Sequence, residues 1–104
     1  MIQLRERDRA AIIQIAESVL PQGVEVWVYG SRIKGRSHEA SDLDLIIKAP
    51  KGGLLSSEAL TAFRCALQNS VLPILVQVLD WDMVPDYFKE GIEADHVLLL
   101  KVGG

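Results

Sequence analysis

Between Leu4 and Leu20 the apolar side chains recur with the period of an amphipathic α-helix that buries one stripe. The stripe consists of Ile12, Ile15, Ala16 and Val19. Pro21 disfavours helix at the residue before it, and Gly23 can close a turn. We therefore expect a first helix that ends near Leu20.

Three later segments have the pattern of β-strands. Residues 24–29 alternate with period two and are rich in β-branched and aromatic side chains. Residues 42–48 form the second segment, and residues 74–79, which follow Pro73, form the third. The apolar tail, residues 97–102, is too short to cross a bilayer and predicts a last strand or a segment laid on the core.

Two further helices are expected between these strands. Ser56 or Ser57 can cap the first of them, with Glu58 in its first turn and an end near Asn69. Its apolar stripe consists of Leu60, Phe63 and Leu67. A shorter helix has Pro85 in its first turn. The resulting order of helices and strands predicts an α/β fold of the α+β type.

The composition narrows the classes of function. The 104 residues have the size of one domain, residues 1–104, with a single thin core. The net charge of −3 argues against direct binding of duplex nucleic acid, which relies on clustered Lys and Arg. The single Cys65 allows no internal disulfide and no Cys-based zinc site, and we expect it to be buried in its helix. We see neither a signal peptide nor a membrane segment, so the expected location is cytoplasmic.

Two acidic residues, Asp42 and Asp44, stand at the start of the second predicted strand. Side chains at i and i+2 of a strand point to the same face, which leaves the opposite, buried face to the apolar residues between and after them. These apolar residues are Leu43, Leu45 and Ile47. Two carboxylates on one face repel each other unless water or a cation intervenes, and Mg²⁺ suits oxygen ligands. Taken alone, such a pair is more often a solvated strand rim than a metal site.

Gly30 and Ser31 directly follow the first predicted strand. Glycine lets backbone N–H groups approach a ligand closely, and serine adds a hydroxyl donor. If a short helix begins at Ser31, its free N–H groups form an anion site suited to phosphate, with Arg32, Lys34 and Arg36 beside it. By itself, a simple turn is the favoured interpretation of this dipeptide.

Together, a phosphate site and a carboxylate pair are the two halves of a site for an Mg²⁺-bound nucleoside triphosphate. The motif reads Gly30-Ser31, then ten residues, then Asp42-Leu43-Asp44. In this motif the chain resembles the nucleotidyltransferase superfamily related to DNA polymerase β, and specifically the minimal nucleotidyltransferases. The resemblance extends over residues 29–35 and 41–45, and more weakly over residues 72–73 and 80–81 and the helix that follows.

The resemblance implies a three-layered core in which helices pack on a mixed sheet of three to four strands. It also implies the antitoxin half of a HEPN/MNT toxin-antitoxin pair, in which the nucleotidyltransferase transfers AMP from ATP to a tyrosine of the HEPN toxin. Asp42 and Asp44 would be the catalytic, Mg²⁺-binding residues. The residues that would bind the nucleotide are Gly30, Ser31, Arg32 and Ser41.

The chain departs from this family at its third carboxylate, whose position on the third strand is taken by Gln77. An amide offers a neutral oxygen and cannot accept a proton from the substrate. Asp80 lies three residues further on and faces away from Gln77 in a regular strand, so a capping role is favoured over a ligand role. Two hypotheses stay open: an adenylyltransferase, or a weakened member of the family that neutralises its partner by contact.

Aromatic and acidic residues leave further alternatives. Trp27, Tyr29 and Trp81 can stack a nucleobase, although packing in the core is the favoured interpretation. Residues 80–95 contain six acids and one base, Lys89. A solvated helix face explains this segment, and an acidic surface for a basic partner is the sharper alternative. The apolar content also favours a partner or an oligomer.

Overall fold

The computed structural model describes residues 4–30, 42–53 and 55–103. In this part of the chain, three α-helices and four β-strands follow one another in the predicted order. They are α1 (Glu6–Val19), β1 (Glu25–Tyr29), β2 (Leu43–Lys48), α2 (Ser57–Gln68), β3 (Val76–Asp80), α3 (Asp86–Ala94) and β4 (His96–Lys101). A short 3-10 helix, Trp81–Met83, joins β3 to the segment before α3.

The helix boundaries follow from local chemistry. Leu20 ends α1 in an extended conformation, and Gly23 takes a φ of +89° in the turn that follows, as Pro21 and Gly23 together predict. Ser56 caps α2, because its hydroxyl oxygen accepts a hydrogen bond of 3.1 Å from the backbone N–H of Ala59. The predicted ends of these two helices are therefore confirmed.

The four strands form one mixed sheet in the order β3-β2-β1-β4. Strand β1 pairs antiparallel with both β2 and β4, whereas β2 and β3 are parallel. The parallel pair requires a crossover, and α2 provides it. The apolar tail is therefore a strand, and the mixed sheet that the resemblance implies is confirmed.

Apolar side chains fill both faces of this sheet, so the expected single core is wrong. On one face α1 and α2 cover Leu43, Leu45 and Ile47, which are fully buried. On the other face the 3-10 helix and α3 cover a second cluster, which comprises Trp27, Ile46, Trp81, Val84 and Ile92. Two covered faces make three layers, in agreement with the resemblance.

The burial of two polar or small side chains differs from expectation. Cys65 is exposed, contrary to prediction, because it lies about 200° around α2 from the buried Phe63 and Leu67. Asp8, in the first turn of α1, is buried, which the helical pattern did not indicate.

Within the described ranges, no helix combines the length and the apolar character that crossing a membrane requires.

Candidate functional site

One row of side chains crosses the sheet where β1 ends and β2 begins. Gln77 of β3 pairs with Asp44, Asp44 pairs with Tyr29 of β1, and Tyr29 pairs with His96 of β4. Directly paired residues point to the same face of a sheet, so these four side chains stand side by side. The next residue of this face on β2 is Ile46, so the row borders the cluster beneath α3.

Asp42 precedes β2 and is held beside this row by a hydrogen bond. The Nε2 amide of Gln77 donates to the Oδ2 atom of Asp42 over 3.1 Å. Gln77 therefore faces both acids of the motif, at the position where the resemblance places a third carboxylate. Asp80 instead accepts a hydrogen bond of 3.0 Å from the backbone N–H of Asp82, which confirms its capping role.

Negative charge and burial combine at Asp44. Burial raises the pKa of this half-buried carboxyl, and the charge of Asp42 raises it further. Burial also raises the pKa of Tyr29, with a smaller contribution from Asp44. The fold therefore holds two like charges close together, an arrangement that a bound cation would stabilise.

The side chains present fit a hard divalent cation. Asp42 and Asp44 offer carboxylate oxygens and Gln77 offers an amide oxygen, which are the ligand types that Mg²⁺ takes in proteins. In the described part of the chain, no group of three or more His, Cys, Asp or Glu side chains is placed to hold a metal. The site thus combines two carboxylates with one neutral amide.

Gly30 brings the backbone against Asp44, one of these two acids. Its φ of +84° lies in the left-handed region, where residues with a Cβ atom are strained. A Cβ atom at this position would lie 2.7 Å from the Oδ2 atom of Asp44, closer than real Cβ contacts allow. The backbone turn therefore favours glycine here, and a Cβ atom would in addition displace the carboxylate of Asp44.

The remaining nucleotide-binding candidates, Ser31, Arg32 and Ser41, lie outside the described residues. They belong to the segment of residues 31–41, which connects Gly30 to Asp42. Their contacts to a triphosphate stay predictions.

The aromatic residues divide between the core and the site. Trp27 and Trp81 are buried with their ring centroids 5.1 Å apart, which confirms the packing interpretation. His96 stacks on Trp27 with a centroid distance of 3.9 Å, and its Nδ1–H donates to the carbonyl oxygen of Ile92 over 2.8 Å. Sequence reasoning missed His96 at the end of the row, because only strand register reveals it.

The similarity of this chain to known proteins identifies its family. A model of the nucleotidyltransferase domain matches residues 9–99. The chain belongs to the nucleotidyltransferase domain family. A relative from Haemophilus influenzae, described as the probable protein adenylyltransferase MntA, is 31% identical over 98 residues. The match covers 94% of this chain and 83% of that relative.

Solved structures share the nucleotidyltransferase fold. A toxin-antitoxin complex with AMP-PNP has a TM-score of 0.72 at 20% identity, over 92% of this chain and 75% of the other. A mutant of the toxin-antitoxin MntA-HpeT has a TM-score of 0.70 at 22% identity, over 97% and 76%. At these identities the likeness concerns the fold alone. The resemblance to the minimal nucleotidyltransferases and the predicted fold class are both confirmed.

Proposed function

We propose that this chain transfers AMP from ATP to a hydroxyl group of a partner protein, with Asp42 and Asp44 as the metal ligands. The observation that carries the proposal is the juxtaposition at the end of β1: Gly30 packs against Asp44, and Gln77 bonds to Asp42. The name of the Haemophilus relative, a probable protein adenylyltransferase, supports AMP as the transferred group and a protein as the acceptor.

In this function the acidic pair and the glycine turn have separate roles. Asp42 and Asp44 hold Mg²⁺, while Gly30, with Ser31, Arg32 and Ser41 beyond the described residues, binds the triphosphate of ATP. A bound Mg²⁺ neutralises phosphate charge and makes the attacking hydroxyl group more acidic. These residue roles are proposals that rest on the motif and on the geometry of Asp42, Asp44 and Gly30.

The reaction replaces one phosphorus–oxygen bond at the α-phosphorus atom of ATP by another. The hydroxyl oxygen of the acceptor forms a bond to this phosphorus, the bond to the bridging oxygen breaks, and pyrophosphate leaves. Gln77 has no basic atom that can take the hydroxyl proton at neutral pH. Asp42 and Asp44 are assigned to Mg²⁺ and lose basicity there, so the proton leaves to solvent water once the metal has made the hydroxyl group more acidic.

We further propose that the acceptor is a tyrosine of a HEPN-type toxin. The resemblance to the antitoxins of HEPN/MNT pairs supports this partner, and the toxin-antitoxin complexes among the structural relatives agree with a toxin as the partner. The net charge of −3 and the described surface give no support to nucleic acid as the acceptor.

A transfer assay tests the proposal. The chain is incubated with α-labelled ATP, Mg²⁺ and the protein encoded by the adjacent gene, and label on that protein is measured. We expect label transfer from the native chain and its loss in Asp42→Ala with Asp44→Ala. A charge-matched control, Glu17→Ala with Glu58→Ala, changes two exposed acids on α1 and α2 and should keep the transfer. Equal transfer by the two double variants would contradict the assignment of the site.

Gln77 favours a second candidate, neutralisation of the toxin by contact alone. An amide binds a metal more weakly than a carboxylate and cannot accept a proton, and here it donates a hydrogen bond to Asp42. Coexpression of the toxin with the double variant of this chain, Asp42→Ala plus Asp44→Ala, separates the two candidates. Survival of the cells would support neutralisation by contact, and their death would support neutralisation by AMP transfer. Gln77→Asp adds a second comparison: a large gain in Mg²⁺-dependent transfer would show that the native chain lacks a third ligand.

A further inference from the structure

Large apolar side chains that the core does not use line one groove. In the described part of the chain, seven large apolar side chains are exposed, and four of them belong to this groove. They are Leu79, Met83, Tyr87 and Phe88. The groove lies between the end of β3, the 3-10 helix and the start of α3, and its volume is about 320 Å³. Apolar surface concentrated in this way marks an interaction site.

The rim of the groove is acidic. Asp80, at the end of β3, lines the groove, and we include in its rim Asp82, Asp86 and Glu90, which are exposed on the two short helices that form it. One base, Lys89, lies on the same segment with its Nζ atom 5.1 Å from the ring centroid of Trp81, and against the six acids it leaves residues 80–95 with a net charge of −5. The groove therefore presents an apolar floor within a negatively charged border.

The groove is continuous with the nucleotide site. Leu79 lies two residues after Gln77 on β3, and therefore on the same face of the sheet. The ring of Phe88 contacts that of Tyr29 edge-on, with centroids 6.3 Å apart, and Tyr29 pairs with Asp44. A segment seated in the groove would therefore end beside the two acids of the site.

We propose that this groove docks an amphipathic helix of the acceptor protein. The apolar face of the helix would fill the groove, and Lys and Arg side chains on its flanks would meet the acidic rim. This inference rests on the proposed function for the identity of the acceptor, whereas the surface itself is defined by the groove and its charge. A second copy of this chain does not suit the site, because its own α3 and its net charge of −3 carry the same sign as the rim.

Photocrosslinking locates the occupant directly. Tyr87, 82% exposed, is replaced by the photoreactive benzoylphenylalanine, and Val71, 94% exposed and outside the groove, is replaced in a matched control. The probe is the purified protein encoded by the adjacent gene. We expect position 87 to crosslink to one amphipathic helix of this protein with Lys and Arg on its flanks, and position 71 to give little product.

Affinity measurements test the two components of the surface separately. Met83→Ser and Tyr87→Ser should each weaken the complex about tenfold or more, whereas Val71→Ser should leave it unchanged. Asp86→Lys with Glu90→Lys should weaken the complex, and most strongly at low salt. The control Glu17→Lys on α1 should leave the affinity unchanged. Circular dichroism confirms that each variant is folded before its affinity is compared.

The outcomes distinguish this inference from the proposed function. Asp42→Ala with Asp44→Ala should abolish AMP transfer and leave the complex intact. If the native chain transfers no AMP but forms a complex that depends on Met83 and Tyr87, the enzymatic proposal is refuted and the docking surface is supported. The docking inference is refuted if the two chains form no complex, if the groove variants bind as tightly as native, or if position 87 crosslinks to an acidic segment or a second copy of this chain.

Discussion

Replacement of Gly30 by alanine tests the link between the turn after β1 and the acidic pair. The left-handed φ of +84° costs a residue with a Cβ atom about 1 to 2 kcal/mol. In addition, the new methyl group would stand 2.7 Å from Asp44 Oδ2, whereas ordinary contact begins at 3.4 Å. The carboxylate must therefore retreat by about 0.7 Å from its position in the row.

Gly52 provides a control for the backbone alone. Its φ of +82° matches that of Gly30, but a Cβ atom at Gly52 would meet nothing within 4 Å. We expect Gly52→Ala to lower the free energy of unfolding by about 1 to 2 kcal/mol, and Gly30→Ala by at least this amount because of its added contact with Asp44. In a domain of this size that corresponds to a decrease in Tm of about 4 to 16 °C.

Only the change at Gly30 should reduce catalysis. A catalytic group displaced by about 1 Å lowers a rate by about a hundredfold, so we expect AMP transfer by Gly30→Ala to fall between about tenfold and a hundredfold. Gly52→Ala should retain the native rate below its Tm. Denaturant unfolding and the labelled-ATP assay, both at 25 °C, measure the two effects. Full activity of Gly30→Ala, or an equal loss in Gly52→Ala, would refute the close contact with Asp44.

Substitutions at three other positions address stability. Gly91→Ala should raise the free energy of unfolding by about 0.5 to 1 kcal/mol in a denaturant titration, because Gly91 lies within α3 and its Cβ would meet nothing within 4 Å. His96→Ala should lower it by about 1 to 2 kcal/mol. His96→Phe should lower it by less, because phenylalanine keeps the stacking on Trp27 and loses only the shared hydrogen bond to the carbonyl oxygens of Ile92 and Glu93. Asp44→Asn should stabilise the metal-free chain at pH 7, because the raised pKa of Asp44 means that its ionisation disfavours the folded state. This gain should disappear below about pH 4, where the carboxyl group is protonated in both states, and unfolding at pH 7 and pH 3 checks it.

The elements of the fold could be predicted because each depends on short-range chemistry. Burial of a helix stripe or of alternate strand residues produces a local period, and Ser56 caps α2 through a contact only three residues away. The same alternation correctly assigned Leu43, Leu45 and Ile47 to a buried face. It did not reveal that Ile46, on the other face, is also buried, because that burial depends on α3 and the 3-10 helix folding back over the sheet.

The motif of the candidate site could be predicted from the sequence, but the side chains that other strands place beside it could not. Asp42, Asp44 and Gly30 lie within one short stretch of sequence, and a known motif connects them. Gln77 lies 35 residues from Asp42, and its hydrogen bond arises from the parallel register of β2 and β3. Register is a long-range property, since a shift of one residue would turn every side chain of β3 to the opposite face.

The same register explains why the site and the groove belong to one surface. Residues at i and i+2 share a face, so β3 presents Gln77 to the acidic pair and Leu79 to the groove. Tyr29 connects the two from the other side, because it pairs with Asp44 within the sheet and contacts Phe88 of α3. An acceptor helix in the groove would therefore lie against the elements that hold Asp42 and Asp44. In the proposed complex, that helix would form the second wall of the acceptor site.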